Sequence, residues 1–174
     1  MAQIKITNSG INDIRLGMNI QDASNIIPFS SFKDKGLFVT RPNDSSFYVL
    51  QTSDSLMQSI SIPYIFISTN ENKIINNIIL FVNDTDNKLE QAIVNQFGHV
   101  GIRNYDSPEE PRNLDLLIWA MNEENTIVLV RTPNVDPVLN FRVTEVHIYK
   151  TKSVEYFGNY SIETRMPYHD FMIK

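Results

Sequence analysis

Apolar positions recur along this chain with two different periods, and the switches between them mark its elements. Around Ile4 and Ile6 the period is two, which predicts an edge strand over Ala2 to Thr7. The turn at Leu16-Gly17-Met18 follows, and the period then lengthens: Ile20, Ala23, Ile26 and Ile27 fall on one helical face. Asn19 is placed to cap that helix with its side-chain oxygen, and Asp22 suits the positive end of the helix dipole. Met18 and Ala23 sit where a hydrophobic staple closes, and Pro28 disfavours helical geometry at Ile27. Strand-like runs follow at Leu37 to Arg41, Phe47 to Gln51 and Leu56 to Ser68, separated by turn signals at Pro42-Asn43-Asp44 and Thr52-Ser53-Asp54. In the last run Ile60, Ile62, Tyr64 and Phe66 are expected to share a face, and Pro63 argues for an edge position or a break.

The second half repeats the scheme. Ile74 to Val82 is a strand apolar enough to be covered on both faces. Asn83-Asp84-Thr85-Asp86 supplies caps, Leu89, Ala92, Ile93 and Phe97 form a helical stripe, and Gly98 is placed as the left-handed residue that ends the helix. His99 to Asn113 reads as a polar loop. Leu114 to Met121 and Thr126 to Thr132 are strands joined by the tight turn Asn122-Glu123-Glu124-Asn125. Val138 to Lys150 is a third strand, whose alternation switches near Thr144 and Glu145 and implies a bulge or a change of covered face. The segment from Thr151 keeps Tyr156, Phe157, Tyr160, Tyr168 and Phe171, which favours docking on the body or on a partner. The fold class expected is α+β: an antiparallel β-sheet with two short helices packed on one face. A single domain over 1–174 is expected, with weak internal modules of helix plus meander at 1–72 and 73–150 and a docked aromatic tail at 151–174.

Two stretches carry a family likeness. Ile14-Arg15-Leu16-Gly17-Met18 leads straight into a capped helix, and later a strand is followed by the Leu89 to Phe97 helix, Gly98, a loop, Trp119 and Ile127 to Val130. This resembles the β-lactamase-inhibitor-protein-like architecture, which also houses small outer-membrane-assembly lipoproteins. The first half shows one clear helix where that group often has two, and there is no Cys pair and no lipobox. The resemblance implies an antiparallel sheet with an open concave face used for binding and no attached chemistry.

Composition narrows the functional classes. At 174 residues, with 42% hydrophobic and 20% charged residues, the chain is of a size that buries roughly 70% of its unfolded surface. The net charge of −5 disfavours a general nucleic-acid binder, which needs a basic stripe to displace counterions from phosphates, and favours a basic partner or simply solubility. With no Cys there is no disulfide, thiolate nucleophile or Cys-ligated metal. The first residues lack the apolar run of a signal peptide, so the cytoplasm is the expected compartment, or the periplasm where a leader has been cut off. No apolar run is long enough to span a bilayer. The abundance of Asn and Ile suits an AT-rich bacterial or phage genome.

Candidate chemistry is sparse. His99, His147 and His169 lack the i+3 or i+4 partner of a helical metal pair. His99 is placed to complement a helix C-terminus. Glu145, His147 and Tyr149 alternate on one strand face; they read as part of a site or, more plainly, as a solvated sheet face. Asp84 to Lys88 opens like a calcium loop, but Leu89 stands where glycine is required and Asn95 where a bidentate Glu is required, so capping is the better reading. No nucleophile elbow, P-loop or dinucleotide fingerprint occurs among six glycines. Glu109, Glu110, Glu123 and Glu124 are acidic pairs on a loop and a turn, which solubilise or meet a basic partner. Trp119 on a sheet strand is more often core than contact; where the sheet face is open, Trp119 with Tyr105 and Tyr149 supplies the aromatic anchors. The function expected is a non-enzymatic bacterial binding protein of the inhibitor or immunity type, needing no cofactor and no metal. It would block a partner protein through a sheet face and acidic loops. An envelope assembly protein and an enzyme using His147 and Glu145 are the alternatives, and oligomeric state is left open.

Overall fold

A computed structural model of the chain describes residues 3–23, 33–34, 46–51, 55–56, 60–84, 88–98, 102–104, 115–120, 125–135 and 140–150. The protein is mixed α+β. In chain order its elements are β1 (Gln3–Ile4), β2 (Ile6–Thr7), β3 (Gly10–Ile11), β4 (Ile14–Arg15), α1 (Ile20–Ala23), β5 (Lys33–Asp34), β6 (Ser46–Gln51), β7 (Ser55–Leu56), β8 (Ile60–Thr69), β9 (Ile75–Asn83), α2 (Lys88–Phe97), β10 (Ile102–Asn104), β11 (Asp115–Ala120), β12 (Asn125–Val135) and β13 (Arg142–Lys150). Ten strands form the large sheet, in the order β1-β7-β8-β9-β13-β12-β11-β10, with β6 on β8 beside β7 and β5 on β6. Its pairs are antiparallel except β1 with β7, which run parallel, so the sheet is not purely antiparallel as expected. β2, β3 and β4 make a separate three-stranded sheet.

The predicted first strand is divided at Lys5. Ile4 lies in the large sheet and Ile6 in the small one, and both are buried. Lys5 is the exposed crossing point. Its N–H donates to Asn12 Oδ1, and Asn12 N–H donates back to the Lys5 carbonyl, each at 2.8 Å. The small strands β3 and β4 carry only two residues each, too few to leave a period in the sequence.

The α1 cap forms as its residues dictate. Gln21 N–H donates to Asn19 Oδ1 at 3.0 Å, and Gly17 takes φ +85° at the turn before it. Gly17 N–H donates to the Ile75 carbonyl, and Ile75 N–H to that of Met18, which fastens the turn to the head of β9. Pro28, the Leu37 to Arg41 run, the turns at 42–44 and 52–54, and the aromatic tail lie outside the described residues.

Pro63 falls in β8, a central strand, where the ladder to β9 shifts register between Ser61 and Tyr64. The irregularity answers the missing N–H of proline. It also corrects the expected face: Ile60, Ile62, Ile65 and Ile67 join the main core, whereas Phe66 is buried outside it. That core gathers Ile6, Ile11 and Ile14 of the small sheet, Ile20 and Ala23 of α1, and Leu89 and Ile93 of α2. They share one buried cluster with Ile78, Leu80, Val82, Ile127, Leu129, Val146 and Ile148 of the large sheet.

The second helix matches its pattern closely. Asp84 accepts hydrogen bonds from Lys88 N–H (2.9 Å) and Leu89 N–H (3.1 Å), and Gly98 closes the helix at φ +87° with its N–H on the Val94 carbonyl. The polar loop expected from His99 contains the short strand β10, against β11.

Candidate functional site

Strand β13 runs between β9 and β12 and is buried along Val143 to Ile148, so both of its faces are covered. This explains the switch in its alternation. Val146 and Ile148 enter the main core, while Val143 is buried outside it with Phe66, Ile79, Phe81 and Val130. Apolar residues are needed on both sides, and no bulge inside the strand is required. The ladder irregularity lies in β12, between Arg131 and Val135.

Glu145 and His147 stand two residues apart on β13, so they project to the same face. His147 Nε2 lies 2.8 Å from Glu145 Oε2. The residues are 1% and 0% exposed respectively, which overturns the expectation of a solvated sheet face. Their lateral neighbours are apolar. His147 pairs in register with Ile79 of β9 and Val128 of β12, and Glu145 with Phe81 and Val130. One strand further out, Phe66 pairs with Ile79 and Tyr64 with Phe81. The Phe66 and Phe81 rings pack with centroids 4.7 Å apart. In the next row Asn77 Nδ2 donates to Ser68 Oγ at 3.4 Å.

A carboxylate and an imidazole at this distance share a proton in a strong, charge-assisted or neutral hydrogen bond. General acid–base catalysis on a substrate needs the same groups within hydrogen-bond reach of a reacting atom. At this burial the pair meets protein. The sequence alternation exposed the two residues as a line of polar side chains. It carried no sign of their burial, because the rows that enclose them come from a strand 64 and 68 positions away on one side (Phe81 opposite Glu145, Ile79 opposite His147) and from β12 on the other.

A second polar contact fixes α2 against the sheet. Arg131 Nη2 of β12 and Glu90 Oε2 of α2 are 2.6 Å apart, with side chains 16% and 23% exposed. Gln96 Nε2 donates to the Ile6 carbonyl at 2.7 Å, tying the other end of the helix to the small sheet.

The residues proposed as partner contacts are only partly brought together. Trp119 lies in β11 opposite Ile127, which is opposite Ile148. Tyr149 lies in the next row, opposite Thr126 and Asn77. Tyr105, Glu109, Glu110, Glu123 and Glu124 lie outside the described residues, as do His99 and His169. The chain order still constrains the acidic pairs: the segment with Glu109 and Glu110 precedes Asp115, and that with Glu123 and Glu124 follows Ala120. Their points of attachment are therefore the two ends of β11, roughly 20 Å apart. Among the described residues no group of three or more His, Asp or Glu is placed to hold a metal, and no helix is long and apolar enough to cross a membrane.

No family model, no curated protein and no solved structure matches this chain.

Proposed function

We propose that this protein is a non-enzymatic binding protein of the bacterial inhibitor or immunity type, which occupies a basic partner protein through its acidic connecting segments. The observation that carries the reading is the burial of His147 and Glu145. The acid–base pair most suited to chemistry is enclosed between apolar rows of the sheet, where it serves packing. The centre of the large sheet is covered on both faces along β9 and β13, so recognition falls to its ends and edges. Glu109, Glu110, Glu123 and Glu124 lie in segments attached to the two ends of β11, and the net charge is −5. Two acidic contacts would orient a positively charged partner and speed its approach. Trp119 and Tyr149 remain the aromatic residues proposed to anchor it. The proposed layering sets both helices over one sheet face, and their shared core with Ile78, Leu80 and Val146 supports it.

The test is capture from a bacterial lysate on the immobilised full chain, followed by charge reversal. A single stoichiometric basic protein is expected, inhibited by the chain. Its affinity should fall about tenfold or more in Glu109→Lys/Glu110→Lys and in Glu123→Lys/Glu124→Lys, and fall with added salt. Capture that ignores all four reversals, or a partner that is not inhibited, would refute the proposal.

A further inference from the structure

We propose that the C-terminal segment, residues 151–174, folds back over the large sheet and closes the face that the helices leave, so that it is a layer of this protein's own core and not a contact for its partner. Five buried apolar residues stand apart from the main core: Phe66 of β8, Ile79 and Phe81 of β9, Val130 of β12 and Val143 of β13. Alternation along the strands and their register put them on one face with Glu145 and His147. All five are 0% exposed. Neighbours within a sheet leave the tips of its side chains open, so such burial requires a further layer stacked about 10 Å away. The buried apolar residues of α1, α2 and the small sheet all join the main core on the opposite face, as do the half-buried Leu16, Met18, Val94 and Phe97. The missing layer therefore comes from the rest of this chain.

Connectivity selects the segment. Residues 24–32 run from Ala23, in the main core, to Lys33 of the outlying strand β5, and residues 35–45 join β5 to its neighbour β6. Residues 105–114 likewise join neighbours, β10 and β11, and carry Asp106, Glu109, Glu110 and two prolines, which suit water better than an apolar face. The other internal segments between described residues have four residues or fewer. Residues 151–174 leave instead from β13, in the middle of the sheet, one position beyond the row of Tyr149, Asn77 and Ser68. From β8 to β12 the face is roughly 15 Å wide, which 24 residues can cross more than once. Five of the 24 are aromatic, three of them tyrosines. A tyrosine offers an apolar ring suited to Phe66 and Phe81 and a hydroxyl suited to the polar groups beside them, Glu145, His147, Asn77 and Ser68.

The chain has no cysteine, so single introduced thiols report each face of the full-length protein. Ile79→Cys lies under the proposed layer and Leu80→Cys on the opposite face, both at positions 0% exposed. Each is expected to react slowly with a maleimide. Adding Tyr156→Ser/Phe157→Ser/Tyr160→Ser/Tyr168→Ser/Phe171→Ser is expected to speed Ile79→Cys by about tenfold or more and to leave Leu80→Cys slow, as local uncovering does and global unfolding does not. Unchanged protection of Ile79→Cys, or release of Leu80→Cys alone, overturns the proposal. Where both thiols react fast, cross-linking of the otherwise unaltered full chain with p-benzoylphenylalanine at position 157 decides. Cross-links within one chain to β8, β9, β12 or β13 are expected. None at all, or links only to the helices or to a second copy, overturn the proposal.

Discussion

Gly98 and Gly10 show two different reasons for a residue without a side chain. Gly98 holds φ +87° with open space where a Cβ would lie. Gly98→Ala should therefore cost about 1 kcal/mol through backbone strain alone. Gly10 is limited by space: a Cβ there would stand 2.0 Å from the Ile14 carbonyl oxygen, inside the three-stranded sheet. Gly10→Ala should cost more, about 2 kcal/mol or above, because β3 and β4 must separate to admit it. Urea unfolding of both variants gives the comparison, and a smaller loss at position 10 would contradict the geometry. Lys73 is the converse case. It takes φ +61° in the β8–β9 turn, where Asn70 Oδ1 accepts the N–H groups of Asn72 and Ile74. Lys73→Gly should relieve that strain and raise stability by about 0.5 kcal/mol in the same assay, the gain being partly offset by a looser unfolded chain.

At the scale of elements, the helices were legible where a boundary is fixed by nearby residues. Asn19, Asp84 and Gly98 act on backbone groups within five positions of themselves, and the sequence named all three. The Asp84 carboxylate receives two N–H donors where Asn19 Oδ1 receives that of Gln21. Asp84→Ala should thus destabilise by about 2 kcal/mol, and Asn19→Ala by about 1 kcal/mol, as thermal unfolding can register. Strand boundaries were legible where period and turn agreed, as in β9 and α2 after it. They were lost where a strand is held by its neighbours and not by its own pattern. β3, β4 and β10 are two or three residues long, and the displacement at Pro63 moved Tyr64 and Phe66 out of the face assigned to Ile60 and Ile62. Arg131 and Glu90, 41 positions apart, were likewise invisible as a pair. A double-mutant cycle on Arg131→Ala and Glu90→Ala should give a coupling of about 0.5–1 kcal/mol, the upper part of the range for ion pairs that water still reaches, and less in high salt.

For the whole molecule, the part that sequence reasoning could not reach is coverage. The alternation of Glu145, His147 and Tyr149 is plain, yet whether such a row meets water depends on strands distant in the chain. The same enclosure sets a stability expectation. His147→Leu removes a partner of the buried Glu145 carboxyl and should cost about 3 kcal/mol or more in urea unfolding. Glu145→Leu/His147→Leu, which replaces both groups by apolar ones, should recover most of that loss. A double variant no better than the single one would assign the pair a larger part in holding the sheet together.

The seam between β9 and β13 joins residues from sixty positions apart (Asn83 and Val143) to seventy-two (Asn77 and Tyr149). During synthesis β9 can dock on β8 at once, but its other side waits for β13. At about 5–20 residues per second that interval is roughly 3–14 s. For this time the nascent protein displays an unfinished strand edge in its middle, open to pairing with any neighbouring chain. Chaperone capture of a ribosome-stalled fragment ending between β9 and β13 is the biological cost to be expected of placing so late a strand at the centre.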